Sequence, residues 1–164
     1  MKIMVKIRKL QKKDIKAITQ MMLEFSDSYP KDYVNSKNRG SIKWLLQYAL
    51  VSKDKFDVGS FVLELNGKVI GHIAYYKDER SFEGLVYELR ALVIDKNYQN
   101  KGFGTKLIKY LEKELKKLKA RIIWLQTGKK SVYYKKLGYK LVAIYRNYWA
   151  KNKDRYVMAR QLNP

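Results

Sequence analysis

The chain has 164 residues, 46% hydrophobic and 31% charged, the composition of one globular domain able to bury its own core. It has no cysteine and one histidine, His72, which excludes a disulfide framework, a thiolate metal site and a cysteine nucleophile, and argues against a histidine-rich metal centre or a Ser-His-Asp triad. Thirty-six Lys and Arg stand against 15 Asp and Glu, a formal net charge of +21 whose field attracts polyanions and repels cationic partners. The lysines are spread along the chain rather than gathered in a tail, so a solvated basic surface accounts for them at least as well as residence near ribosomes or nucleic acid. No run approaches the ~20 apolar residues of a membrane span and the first residues lack a signal-peptide core, so a cytoplasmic protein with no membrane partner is expected.

Val5-Lys6-Ile7-Arg8 alternates and predicts a first strand. Asp14 is placed to N-cap a helix with Ile15, Ile18, Met22 and Phe25 on one side, and Tyr29-Pro30 ends it. Ile42, Leu45, Leu46 and Ala49 predict a second helix over about 41–51. The pattern then turns to strands. Residues 61–65 and 68–74 flank Asn66-Gly67, a type I′ hairpin signal, and a long third strand covers 85–94. Next comes an amphipathic helix with Leu107, Ile108, Leu111, Leu115 and Leu118 in one stripe and Lys106, Lys109, Lys113, Lys116 and Lys117 mostly outside it. A short buried strand over 122–125 leads to a brief helix that Gly138 stops as a C′ residue, and two strands, around 141–145 and 156–159, finish the chain. No linker or repeat divides it, so 1–164 is expected to form a single domain with a mixed α/β sheet and helices on both faces.

Between the third strand and the amphipathic helix stands Gln99-Asn100-Lys101-Gly102-Phe103-Gly104. The first N–H groups of a helix lack intrahelical partners and carry the positive end of its dipole, so a strand, a glycine turn and an immediate helix form an anion site. Gly102 and Gly104 let a phosphate approach the backbone, and Lys101 and Lys106 add charge. The spacing fits neither the dinucleotide G-x-G-x-x-G pattern nor a P-loop, and on its own it suits a structural turn as well as a ligand site.

Tyr98-Gln99-Asn100-Lys101-Gly102-Phe103-Gly104, preceded by Leu92-Val93-Ile94-Asp95, resembles the [QR]-x-x-G-x-[GA] signature of the GNAT superfamily of N-acetyltransferases. The resemblance extends along the chain, through the Asn-Gly hairpin to Tyr133-Tyr134-Lys135-Lys136-Leu137-Gly138-Tyr139. It implies a mostly antiparallel sheet of about seven strands, splayed between strands 4 and 5, and an enzyme that transfers acetyl directly from acetyl-CoA to a primary amine, with no metal. Backbone groups of Leu92, Val93 and Ile94 would pair with the pantetheine arm. The turn from Gln99 through Asn100, Lys101, Gly102, Phe103, Gly104 and Thr105 would hold the pyrophosphate.

The resemblance also implies catalytic roles. Glu88 stands where histone-type members carry a glutamate base, and apolar strand neighbours are expected to raise its pKa; partnership with Arg90 or a lysine is the structural alternative. Tyr134, four residues before Gly138, matches a tyrosine that protonates the thiolate, with Tyr133 as its rival. Gln126 stands where several members have a second carboxylate. The stretch 127–133 is about a helical turn shorter than in many members and lacks the counterpart of their CoA-binding asparagine. His72 is expected to be structural. Tyr148 and Trp149 resemble aromatic residues that line the peptide groove of protein N-terminal acetyltransferases, or else they cap the sheet. A protein or peptide amine is therefore the expected acceptor, neutral or acidic given the charge. A small-molecule amine, or a basic nucleic-acid-associated module on the same fold, is the alternative.

Overall fold

The computed structural model describes residues 4–25, 58–81, 83–128 and 131–162, and the helix expected over 41–51 lies outside them. In chain order the described elements are β1 (Val5–Lys9), α1 (Ile15–Phe25), β2 (Val58–Leu65), β3 (Lys68–Lys77), β4 (Val86–Ile94), α2 (Phe103–Lys117), β5 (Ile122–Thr127), α3 (Ser131–Lys136), β6 (Lys140–Ala150) and β7 (Lys153–Gln161). The strands form one seven-stranded sheet in the order β1-β2-β3-β4-β5-β7-β6. The pairs β1–β2, β5–β7 and β6–β7 are antiparallel and β4–β5 is parallel. A parallel pair needs a long crossover, and α2 supplies it. This is the mixed, mostly antiparallel sheet that the sequence predicts. Among the described residues no helix is long and apolar enough to cross a membrane.

The chain divides into two compact units, Met1–Ala74 with Ala91–Leu111, and Tyr75–Arg90 with Glu112–Pro164, and β3 and β4 each run from one into the other. In the first unit Asn66 (φ 49°) and Gly67 (φ 85°) both adopt the left-handed conformation, as the predicted type I′ turn requires. Leu10, Ile18, Met21, Val62 and Val93 form a buried cluster, against which Ile15, Met22 and Val69 pack. Gly71 on β3 is glycine because Ile94 takes the space: a Cβ there would fall 2.7 Å from Ile94 Cδ1.

Asp14 does something other than start α1. It ends a 3-10 turn, Lys12–Asp14, and the chain stays helical at Ile15. Its carboxylate reaches back to accept from the Gln11 N–H (2.8 Å) and from both ends of the Arg8 guanidinium (2.7 and 3.0 Å). Burial pushes the Asp14 carboxyl up, but these bonds outweigh it and hold the group below the usual carboxylate range. Arg8 also donates to Glu64 at 3.0 Å, so one guanidinium ties β1 to β2 and to the entry of α1.

His72 lies fully buried on β3, with Nε2 3.0 Å from Ser60 Oγ and Nδ1 without a hydrogen-bond partner among the described residues. Its burial fits the structural role expected of it. Burial lowers its pKa to about 4.

In the second unit the apolar interior includes Tyr75, Tyr87, Leu89, Leu115, Ile123, Leu125, Tyr134, Tyr139 and Met158, with Tyr75 and Tyr87 in edge contact at 5.9 Å. Strands β6 and β7 are longer than predicted and meet in a two-residue turn, Lys151-Asn152, with Asn152 left-handed (φ 61°). Tyr148 and Trp149 therefore belong to a strand, not to a loop. Asn147 (φ 54°) marks a bulge between Tyr145 and Ala150.

Since folded His72 refuses a proton until about pH 4 while an unfolded histidine accepts one near pH 6.5, stability falls as pH drops through that window and is insensitive to this group above it. Urea unfolding between pH 7 and 4.5 is expected to show a loss larger by roughly 2–3 kcal/mol in the native chain than in His72→Gln. Equal pH slopes would contradict a buried neutral imidazole.

Candidate active site

The expected cofactor residues all lie in the first unit. Pairing of β4 with β5 runs from Val86↔Ile122 to Leu89↔Leu125, yet β4 continues to Ile94. Residues 90–94 lie beyond the last β5 pair, which is the splay expected between these strands. The strand's alternation puts Leu92 and Ile94 on one face and buried Val93 on the other.

Where β4 ends, its chain is fastened in place. The Asp95 N–H donates to the Ile70 carbonyl (2.9 Å), and the Asp95 carboxylate accepts from the Asn97 N–H (3.0 Å) and the Lys68 ammonium (3.2 Å). Burial raises the Asp95 pKa, but those bonds prevail and the group sits below the ordinary carboxylate range. The Gln99 side-chain amide donates to the Ile94 carbonyl at 3.0 Å, folding the turn back onto the strand. Asn100 (φ 59°) and Gly102 (φ 81°) are left-handed, and α2 begins at Phe103. A Cβ at Gly102 would meet nothing within 4 Å, so that side of the turn is open. No acidic residue occupies the first turn of α2 to compete for its N–H groups.

Side chains here support the backbone rather than point at a ligand. Lys101 donates to the Asn97 carbonyl (3.1 Å) and sits 5.5 Å from the Tyr98 ring centroid, with Lys68 at 5.3 Å from the same ring. Phe103 meets Tyr98 edge-on at 6.5 Å, Thr105 is half-buried and Lys106 is exposed. The turn opens directly into α2, so the positive end of the helix dipole lies at Phe103.

Glu88 and Tyr134 belong to the second unit. Glu88 is half-buried on β4 opposite Trp124 of β5, and its carboxylate accepts from Arg90 at 3.1 Å. The pairing given as the structural alternative is thus present, and it leaves the second carboxylate oxygen for other use. Tyr134 is buried on α3, edge-on to Tyr133 (5.1 Å) and to Tyr139 (5.8 Å), whereas Tyr133 is half-buried.

Three further residues secure the helix that carries Tyr134. Gly138 (φ 87°) ends α3 in a Schellman motif: its N–H donates to the Lys135 carbonyl (3.0 Å) and the Tyr139 N–H to the Tyr134 carbonyl (3.1 Å). Arg160 of β7 donates to the Leu137 carbonyl (2.8 Å) and to both oxygens of buried Glu112 (3.0 and 3.1 Å), which also accepts from the Tyr139 hydroxyl (2.9 Å). Burial, then the Glu112 charge, pushes the Tyr139 hydroxyl pKa up, so it remains a donor. The sequence pointed to Gly138 but not to Glu112 or Arg160, because partners 48 positions apart leave no local pattern. Gln126 was also underrated. Its Oε1 is buried without a donor among the described residues, an acceptor available to an incoming N–H.

The family model of the acetyltransferase (GNAT) family matches residues 18–139. An uncharacterised N-acetyltransferase of Methanocaldococcus jannaschii is 27% identical over 143 residues, a match covering 81% of this chain and only 59% of that protein. An N-alpha-acetyltransferase of Sulfurisphaera tokodaii is 28% identical over 120 residues, 66% of this chain and 72% of that one. In fold, the PaiA N-acetyltransferase of Thermoplasma acidophilum, solved in complex with coenzyme A, superposes with a TM-score of 0.77 at 22% identity, covering 96% of this chain and 99% of that one. With a family match that runs from α1 to the cap of α3 and takes in the splayed strand and the glycine turn, the chain belongs to the acetyltransferase (GNAT) family.

Proposed function

We propose that the protein transfers acetyl from acetyl-CoA directly to a primary amine of a protein or peptide. The observation that carries this reading is the backbone cradle: left-handed Asn100 and Gly102 opening α2 just after a strand that outruns its parallel partner. Leu92, Val93 and Ile94 would pair with the pantetheine arm, and the N–H groups of the 99–105 turn would hold the pyrophosphate. Acetyl-CoA supplies the activated acyl thioester; the chain supplies alignment and proton transfer.

A protonated amine cannot attack a thioester, so its proton must leave first. Glu88 is the base in this reading, with Arg90 fixing one carboxylate oxygen and the other accepting the proton. The amine nitrogen then bonds to the acyl carbon, the carbon–sulfur bond breaks, the Tyr134 hydroxyl protonates the departing thiolate, and the phenolate so formed takes the surplus proton from the nitrogen. The Glu112–Arg160 clamp on the end of α3 keeps that tyrosine on a rigid support. A peptide α-amine, with a pKa near ~8, needs less help from a base than a lysine near ~10.4. The S. tokodaii relative's name and this easier deprotonation both favour an α-amine, and the charge of +21 favours acceptors that are neutral or acidic.

Thermal unfolding with saturating acetyl-CoA is expected to show stabilisation by ~2.7 kcal/mol at 100 times the dissociation constant. Gly104→Val should abolish that gain and keep the fold; no gain in the native chain, even in low salt, would sink the cosubstrate assignment. An acetylation screen over peptides of defined first residue, lysine peptides, polyamines and aminoglycosides identifies the acceptor, and turnover confined to the last two classes would exclude a protein substrate.

The catalytic assignments separate by pH. Glu88→Gln should lower turnover about 10²-fold at neutral pH and recover toward high pH, where the amine is already free. Tyr134→Phe should lower kcat by a similar factor across pH with little change in the KM for acetyl-CoA. Native pH–rate profiles in either variant would remove that residue from the mechanism.

A further inference from the structure

One face of β4, β5 and β7 carries two buried polar atoms of opposite sense that have no hydrogen-bond partner among the described residues: Gln126 Oε1, an acceptor, and Arg155 Nε, a donor. Residues paired in register share a face of the sheet, and so do residues two apart on one strand. Glu88 pairs with Trp124, two positions before Gln126, and Gln126 pairs with Val157, two positions after Arg155. Glu88, Gln126 and Arg155 therefore share one face, while Leu89, Leu125 and Met158 are buried on the other. The three polar residues all belong to the second unit.

The two orphaned atoms do not satisfy one another. The Arg155 guanidinium lies 4.2 Å from the Tyr148 centroid and 5.3 Å from that of Trp149, so ring faces hold it in place. A buried polar atom without a partner destabilises the free protein, and a ligand that supplies the missing bond gains more than it would from a solvated group. Gln126 and Arg155 are half-buried as whole residues, and the last torsion of a glutamine is soft, so its oxygen turns readily to meet a ligand.

A ligand that answers both atoms must offer a donor and an acceptor on one side. The N–H and C=O of a single residue point to the same side of an extended chain, which is how antiparallel strands exchange paired bonds. Arg155 stands two residues, about 7 Å, along β7 from the partner of Gln126, a separation that side chains of this length span. A polyamine offers donors only and sets positive charge against Arg155.

We propose that Gln126 and Arg155 bind the second residue of the acceptor peptide, Gln126 Oε1 accepting its N–H and the Arg155 guanidinium donating to its carbonyl, with the α-amine one residue upstream directed to Glu88. Tyr148 and Trp149 serve the same groove by holding Arg155 in position. The proposal rests on the reading that a peptide amine is the acceptor.

Steady-state kinetics at saturating acetyl-CoA tests it with three substrates. These are the best peptide from the acceptor screen, its depsipeptide with an ester in place of the first amide, and its first residue as the N-methylamide. The ester lacks the N–H that Gln126 takes, so in the native chain the depsipeptide KM should be roughly 5- to 150-fold above that of the peptide, with kcat little changed. Gln126→Leu should raise the peptide KM and bring peptide and depsipeptide within about threefold of each other. The methylamide keeps that N–H but lacks the next carbonyl, so Arg155→Met should raise the peptide KM and leave that of the methylamide within about threefold of native. The depsipeptide comparison uses the native chain, so it decides the matter even where a variant fails to fold. Equal KM for peptide and depsipeptide in the native chain, a folded Gln126→Leu that still separates them, or a folded Arg155→Met that raises both KM values alike would each overturn the proposal and leave the peptide-acceptor reading intact. Acetyl-CoA binding without turnover of any peptide would overturn both.

Discussion

Much of this molecule follows from the place where two parallel strands stop pairing. The strand β4 holds β5 only as far as Leu89 and Leu125, then runs on to Ile94. An unpaired strand edge is usually a liability, to be blunted by charge or bulges. Here the chain runs on past its last β5 pair and ends in a turn that opens a helix. Two different polar features, a strand edge and a helix start, thus occur within a dozen residues.

The side chains divide the work differently. In the first unit they almost all serve the backbone: Gln99 reaches Ile94, Lys101 reaches Asn97, Asp95 accepts from the Asn97 N–H, and Arg8 gathers Asp14 and Glu64. In the second unit, polar side chains are held by other side chains. Glu88 accepts from Arg90, the Gln126 side-chain oxygen has no donor among the described residues, and Tyr134 sits on a short helix held at its end by Glu112 and Arg160. A six-residue helix has little stability of its own. A buried carboxylate shared by an arginine and a tyrosine gives it a fixed end. Removing one partner would leave a buried charge unpaired, which costs about 3–5 kcal/mol for a fully buried pair and less here, where Arg160 is partly exposed.

Local chemistry was legible in the sequence; pairing over distance was not. Asn66-Gly67, Gly138 and the 99–104 turn each announce a backbone conformation that few residues adopt, and each adopts it. In the predicted stripe Leu107, Ile108, Leu111 and Leu115 are buried, while Leu118 lies just past the end of α2 and is half-buried. Asp14 looked like a helix cap because its neighbours in sequence fit one, but Arg8, in reach only after β1 forms, claims the carboxylate. Strands β6 and β7 were underestimated because Asn147 and Asn152 interrupt the alternation, and the bonds that absorb the interruption come from Asp154 across the hairpin. The orphaned oxygen of Gln126 depends on what its neighbours fail to offer, which no pattern of residue types encodes.

Gly71 carries a consequence for how such a chain can change over time. Its missing side chain is the space that Ile94 fills, with Leu107 close behind at 3.2 Å from where a Cβ would lie. The two strand positions are therefore a size pair: a methyl gained at 71 calls for a branch lost at 94. Drift at one constrains drift at the other, although neither residue has any chemistry to contribute. A strand that presents its backbone to a ligand can tolerate new side chains on its outer face, but its inner face has to evolve in step with the neighbour it leans on.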